Sequence, residues 1–344
     1  MHIVSPARHY YASKWFPAIR DETDEAVAQT ALDRLYGQDR KKNYHIALAP
    51  RDRKLYERHL EWFRARVSPG SRVLEAGAGT GTFAAMLTEA GYRVTAADLY
   101  LPEDLQYLQR HYSDPGRVAG HPPGIENPPA RATRPAPGMP SAKTTSSGLT
   151  FSTIRAVENS SQKYDAVISL DVMEHLLYPD RVISGWRDRL APEGDLFIVC
   201  PNYSGPLAAL RLAINFFSGR PTWRYQSLRY GLRHCVENFL FNLYLIFTGR
   251  PAFVRCMPSI ADGRVEMTDS DMDTVHLPSA RGLRNYLSKN GFRIISWRHG
   301  NTGPAARIAG LLAPGLAPTV RIHARKDDRF TGRNPEGRII RRDL

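Results

Sequence analysis

The chain has 344 residues and a formal charge of +13, set by 47 lysines and arginines against 34 acids. That length suits one catalytic α/β domain with insertions better than two independent domains, nothing repeats internally, and three cysteines without C-x-x-C spacing argue against a disulfide framework or a zinc site. The arginine excess favours anionic partners, whether phosphorylated substrates, nucleic acid or an acidic membrane surface, with plain solubility as the alternative.

In chain order, the opening M-H-I-V-S-P-A-R-H-Y-Y has no continuous apolar segment and acids arrive by Asp21, so a secretory signal is not expected and the expected location is cytoplasmic. Residues 1–68 form an expected helical cap. Helical spacing covers 24–36 and 52–67, the second through Leu55, His59, Leu60, Trp62 and Phe63, and the basic stretch between them reads as a solvated turn, with Tyr44 and His45 as candidates for facing a site.

Residues 72–82 read R-V-L-E-A-G-A-G-T-G-T. A short apolar run rises to Glu75 and breaks into alternating Gly77, Gly79 and Gly81; Phe83, Ala84, Met86, Leu87 and Ala90 then recur at helical spacing until Gly91. Such a strand, glycine loop and helix let a ligand lie against bare backbone. A second strand, 93–97, ends in Asp98, about 20 residues after the first glycine, where a βαβ nucleotide site places an acid for ribose hydroxyls. The dinucleotide fingerprint would need a third glycine at Thr82, so the spacing here is G-x-G-x-G and a dehydrogenase is disfavoured.

A helix over 101–112 is followed by an abrupt change. Residues 113–148 are rich in proline, glycine, serine and threonine and hold almost nothing large and apolar, so this stretch is expected to be a disordered insertion, with a proline-rich ligand for another domain as the alternative. The third strand is 149–154, and Glu158 follows. Residues 164–170 form a strand apolar enough to be buried on both faces. It runs into Leu170-Asp171-Val172-Met173-Glu174-His175, then a helix over 179–190, a turn at Ala191-Pro192-Glu193-Gly194 and strand five over 195–200.

The sequence E-A-G-A-G-T-G at 75–81, the acid Asp98, and Y-D-A-V-I-S-L-D-V-M-E-H-L at 164–176 together resemble the class I S-adenosylmethionine-dependent methyltransferases. Within them, Glu174-His175 and L-A-P-E-G-D-L-F-I-V at 190–199 are similar to the O-methyltransferases of ubiquinone biosynthesis and their small-molecule relatives. The resemblance covers 67–202, with a weaker echo over 271–326. It implies an α/β, seven-stranded Rossmann-like sheet with helices on both faces, and S-adenosylmethionine as cofactor. It also implies roles: Glu75 orients the loop and the cofactor's amino group, Gly77, Ala78, Gly79 and Gly81 line its amino-acid part, Asp98 takes the ribose hydroxyls, and Leu170 and Asp171 receive the amino-acid end. Glu158 stands loosely where relatives place an acid near the adenine. Enzymes that methylate base amino groups carry an Asn/Asp-Pro-Pro-aromatic motif after strand four, and its absence favours an O-directed or small-molecule acceptor.

Residues 203–271 fall where such relatives vary an acceptor-binding lid. Helical stripes are expected over 206–217 and 232–247, the latter through Leu232, Cys235, Val236, Phe239, Leu240, Leu243 and Phe247, and arginines from Arg220 to Arg255 interleave with aromatic residues. The run is too short and too interrupted, by Glu237, Asn238 and Asn242, to span a bilayer. A packed helical cap is one reading, a peripheral contact with membrane or a lipid-linked substrate the second, and dimerisation the third. Beyond it come Asp273 and His276, a helix over 279–289, and strands over 292–297 and 320–324; residues 327–344 read as a basic, mobile tail. The methyltransferase domain is therefore 69–326. His276 and His175 are the candidates for a general base, with Asp171, Tyr203 and Asp273 for positioning; no metal is required. The expected acceptor is a small molecule, a glycan or a lipid-linked intermediate. RNA methylation and a non-catalytic scaffold that keeps the fold are the rival readings.

Overall fold

In the computed structural model, the described residues are 9–12, 18–35, 50–99, 148–205, 228–265, 273–299, 319–333 and 339–341. Tyr44, His45, the proline-rich stretch over 113–147 and the lid residues 206–227 lie outside them. The chain divides into two compact units, residues 40–166 and residues 1–39 with 167–344.

In the first unit the alternation of apolar residues and glycine gives the expected strand, loop and helix. Strand β2 (Arg72–Ala76) is buried at Val73, Leu74, Glu75 and Ala76, and helix α3 (Thr82–Glu89) turns Phe83, Ala84 and Leu87 inward. Their neighbours are α2 (Pro50–Arg64), β3 (Arg93–Asp98), β4 (Leu149–Thr153) and the short α4 (Ile154–Asn159). β3 lies parallel to both β2 and β4. Phe63 packs edge-on against Tyr92 at 5.2 Å, and the Tyr92 hydroxyl donates to the Val67 carbonyl at 2.7 Å, which fixes the end of α2 to the loop before β3.

The remaining strands of the large sheet are β5 (Tyr164–Leu170), β6 (Leu190–Pro201), β11 (Phe292–His299) and β12 (Thr319–Lys326). Seven strands form it in the order β11-β12-β6-β5-β2-β3-β4, with β12 antiparallel to both β6 and β11, so the expected Rossmann-like α/β sheet is present, with β11 and β12 as its antiparallel hairpin. The turn expected at 191–194 survives as an irregularity at the start of β6: Glu193 has φ 54°, and pairing with β12 begins at Asp195. Asp195 is buried there against His323 at 2.8 Å and Arg325 at 2.9 Å; burial pushes its carboxyl up, but these hydrogen bonds outweigh that and hold it below the ordinary carboxylate value.

The second unit also holds elements that periodicity did not foretell. A three-stranded sheet orders β1 (Tyr10–Ala12), β7 (Phe253–Arg255) and β10 (His276–Leu277). A two-residue ladder pairs β8 (Ile260–Ala261) with β9 (Arg264–Val265), and β13 (Phe330–Arg333) pairs with β14 (Ile339–Arg341) in the stretch expected to be a mobile tail. The helices are α1 (Glu22–Arg34), α5 (Pro179–Arg189), α6 (Leu228–Thr248) and α7 (Ala280–Lys289). Asp21 caps α1 by accepting from Thr23 and Asp24, and Ser279 caps α7 by accepting from Gly282.

Arg255, one of the arginines of the expected lid, lies in β7 and is buried. It is 2% exposed, donates to Glu25 at 2.6 Å and to the Leu177 carbonyl at 3.0 Å, and its guanidinium lies 4.0 Å from the Tyr10 ring centroid. Tyr10 in turn donates to Asp180, which His9 meets at 3.2 Å. A buried cation is tolerable only with such partners, and they let β7, buried along its whole length, end in an arginine.

Candidate active site

The glycine loop is held by its own backbone and by one carboxylate. Gly77 and Ala78 both donate to the Ala97 carbonyl, at 2.8 and 3.0 Å, and Gly79 donates to Asp98 at 2.7 Å. The other oxygen of Asp98 accepts from Leu99 at 2.7 Å. Gly77, Gly79 and Gly81 have φ of 81°, 51° and 73°, a left-handed conformation that side-chain-bearing residues adopt at a cost, so the loop needs its glycines. Gly81 is also the N-cap of α3, which aims a helix N-terminus at the loop.

Two observations make this loop a cradle. A Cβ built on Gly79 meets nothing within 4 Å, so there is room beside the bare backbone for a ligand. Glu75 is buried, accepts from the Ala84 amide in the first turn of α3, and keeps its second oxygen, Oε2, without a hydrogen-bond partner. Burial, and then the charge of Asp98, pushes the Glu75 carboxyl well above the usual range. A cationic or hydrogen-donating ligand group would satisfy that oxygen. These features fit the amino group and ribose that the sequence reading assigned to Glu75 and Asp98. Glu158, the candidate for adenine, is exposed on α4.

In the other unit the end of β5 makes a sharp turn. Leu170 is buried, Asp171 is exposed with φ 51°, and the Asp171 amide donates to Val199 at 2.9 Å. A short 3-10 turn, Met173–His175, follows. The structure brings to it the second motif, more than ninety residues later in the chain: Val275 donates to the Glu174 carbonyl at 3.0 Å, and His276 Nδ1 lies 2.9 Å from the Met173 carbonyl. A carbonyl only accepts, so Nδ1 carries the hydrogen and Nε2 the lone pair. His276 is 2% exposed, its Nε2 has no partner, and burial drives its pKa down to about 4, so it is neutral at pH 7. His175 is the accessible histidine, its side chain 24% exposed, and its Nδ1 stands 3.1 Å from Asp273. Its Nε2 stands 4.0 Å from Glu174, so the ring lies between two carboxylates, whose charge favours the protonated imidazole. Tyr203 packs against the cluster around Tyr11 and Leu245.

Sequence reasoning missed the anchoring of this turn by the strand pair β7 and β10, because segments of two or three residues carry no period. The one available signal was the echo at Asp273 to His276. Among the described residues no group of three or more histidines, cysteines, aspartates and glutamates could hold a metal ion, and no helix is long and apolar enough to cross a membrane.

A family model described as "Methyltransferase domain" matches residues 48–296. A search of curated protein sequences found no match. Among solved structures, 1,6-didemethyltoxoflavin-N1-methyltransferase of Burkholderia thailandensis, with bound 1,6-didemethyltoxoflavin and S-adenosylhomocysteine, is similar at TM-score 0.46 and 13% identity, over 88% of this chain and 89% of that one. Magnesium protoporphyrin IX methyltransferase of Synechocystis PCC 6803, with bound S-adenosylhomocysteine, is similar at TM-score 0.41 and 15% identity over 89% and 98%. The [4+2]-cyclase SpnF is similar at TM-score 0.43 and 13% identity over 91% and 98%. Likenesses this distant carry nothing about the acceptor.

Proposed function

The chain belongs to the methyltransferase-domain family, and from that premise we propose that it transfers a methyl group from S-adenosylmethionine to an oxygen of a small-molecule, glycan or lipid-linked acceptor. The observation that carries this reading is the cradle at Gly77 to Gly81: three left-handed glycines, open space at Gly79, a buried carboxylate with an unpartnered oxygen at Glu75, and Asp98 at the end of the next strand. When bound, S-adenosylmethionine supplies an electrophilic methyl carbon on a sulfonium. Every other requirement falls on the protein, which must position the acceptor, exclude water and remove a proton.

Glu75 Oε2 holds the ligand's amino group and Asp98 its ribose hydroxyls. Proton removal belongs to His175. Asp273 stands 3.1 Å from its Nδ1 and Glu174 4.0 Å from its Nε2, and in this reading the imidazole takes the acceptor's hydroxyl proton as the oxygen attacks, the imidazolium that results being stabilised by both carboxylates. His276 positions this turn through Met173 rather than meeting the acceptor. The oxygen-directed choice is supported by Leu170-Asp171-Val172-Met173, which stands where base N-methylating enzymes carry their proline motif.

The test uses S-adenosylmethionine labelled in its methyl group, incubated with the purified protein and fractionated organic and aqueous cell extracts. Label in an acceptor fraction, at an oxygen by mass spectrometry, supports the reading. Label on nitrogen or in RNA corrects the acceptor class, and label nowhere, with no cofactor bound, refutes it.

A further inference from the structure

Helix α6 is built inside out. Three polar residues at successive four-residue spacing, His234, Asn238 and Asn242, point to the protein. Asn242 donates to the Ser204 carbonyl at 2.9 Å and to Asn238 at 2.8 Å, and Asn238 reaches the Tyr203 and Gly205 carbonyls at 3.4 Å. Burial drives the His234 pKa down to about 4, so this inner face is uncharged at neutral pH. Leu245 completes it in the cluster with Tyr11, Val254 and Leu277. The opposite face carries the large apolar residues: Leu232, Val236, Phe239, Leu240 and Ile246 are about half exposed, and Phe247 is 84% exposed. At 100° per residue these six fall within one third of the helix circumference. The asparagines that interrupt the apolar run in the sequence are therefore the anchors, and the apolar run is what faces outward.

We propose that this face is a docking surface for an anionic lipid bilayer, with α6 lying in the plane of the interface. Charge selects this occupant. Arg233, its side chain 75% exposed and paired with Glu237 at 3.5 Å, borders the stripe, Arg250 is exposed just beyond the helix, and the surplus positive charge is that of the whole chain, +13. A helix of 21 residues, about 30 Å long, with one apolar side and a basic margin sinks its apolar side chains to the headgroup boundary, and anionic headgroups add to the attraction. A face made for a second copy of this chain would gain nothing from the surplus positive charge, which repels. The proposal does not depend on the methyl acceptor being a lipid.

The probe is a set of vesicles of phosphatidylcholine alone and of phosphatidylcholine with phosphatidylglycerol. Wild-type protein sediments with the anionic set, less so in high salt and less with the neutral set. The combined substitution Phe239→Ser, Leu240→Ser and Phe247→Ser lowers the partition coefficient about tenfold or more while S-adenosylmethionine affinity stays unchanged, since each removes apolar area from the lipid contact. Arg233→Gln lowers it a few-fold and flattens the salt dependence. Should the triple variant fail to fold, Phe247→Trp serves instead, its emission shifting to the blue with anionic vesicles. The proposal is overturned by wild-type protein that ignores anionic vesicles at low salt, by a Phe247→Trp emission that vesicles leave in place, or by a folded triple variant that binds as well as wild type. A concentration-dependent dimer that the triple variant abolishes, with no vesicle binding, gives the face to a second copy and overturns it as well.

Discussion

Substituting Asp98 by alanine separates the two duties that the structure gives this carboxylate. It accepts from Gly79 and from Leu99, each at 2.7 Å, and in the proposed complex it also accepts from the ribose hydroxyls. Hydrogen bonds to a charged group are worth about 1.5 to 3 kcal/mol, so loss of the ribose contact alone weakens cofactor binding roughly 10- to 150-fold. A second effect runs the other way. The charge of Asp98 helps to hold the Glu75 carboxyl above its ordinary range, so its removal lets Glu75 ionise more readily and strengthens the contact to the cofactor's amino group, placing the net loss toward the lower end. The assay is calorimetric titration of S-adenosylhomocysteine into wild type and Asp98→Ala, with a thermal melt of each to show that the sheet is intact. Affinity within twofold of wild type in a folded variant, or a defect confined to turnover, would refute the ribose assignment.

Four further outcomes follow from the same geometry. Gly79→Val abolishes cofactor binding in calorimetry because a side chain enters the open space beside the loop, while the positive φ costs stability only about 1 to 2 kcal/mol, read by urea denaturation. Glu75 holds its proton in the folded state above its ordinary value of 4.5, so its contribution to stability is full below about that pH and is lost as pH rises toward the elevated folded value; Glu75→Gln removes that decline from a series of denaturation curves. His276 behaves oppositely: its folded pKa of about 4 against 6.5 unfolded makes stability fall as pH drops from 6.5 to about 4, and His276→Gln flattens this window. Arg255→Ala destabilises the second unit by about 3 kcal/mol, the low end for a broken buried pair because Glu25 is partly solvated, and Arg255→Lys restores only part of it in the same assay.

What the sequence made legible was local. The strand, glycine loop and helix from Arg72 to Glu89 and the strand Tyr164–Leu170 follow from residues adjacent in the chain, because alternation, glycine and helical spacing act within a few positions. The direction of α6 was not legible. Its apolar stripe is ordinarily the inward one, and it is reversed here because Asn238 and Asn242 find carbonyls at Tyr203, Ser204 and Gly205, partners more than thirty residues away. The burial of Arg255 was hidden for the same reason, since its acid lies 230 positions earlier, in α1. His276 and His175 were found as residue types, but which of them is accessible depends on the packing of Met173–His175 against β10. Chemistry-bearing residues can thus be nominated from spacing, and their roles rest on contacts between distant segments.

The central claim is that S-adenosylmethionine binds at the glycine loop, and amide hydrogen exchange measured with and without S-adenosylmethionine tests it at residue level. The account predicts added protection concentrated at Gly77 to Thr82 and at Asp98 and Leu99, absent in Gly79→Val. Exchange unchanged at those amides under saturating cofactor, or protection confined to other segments, would contradict it.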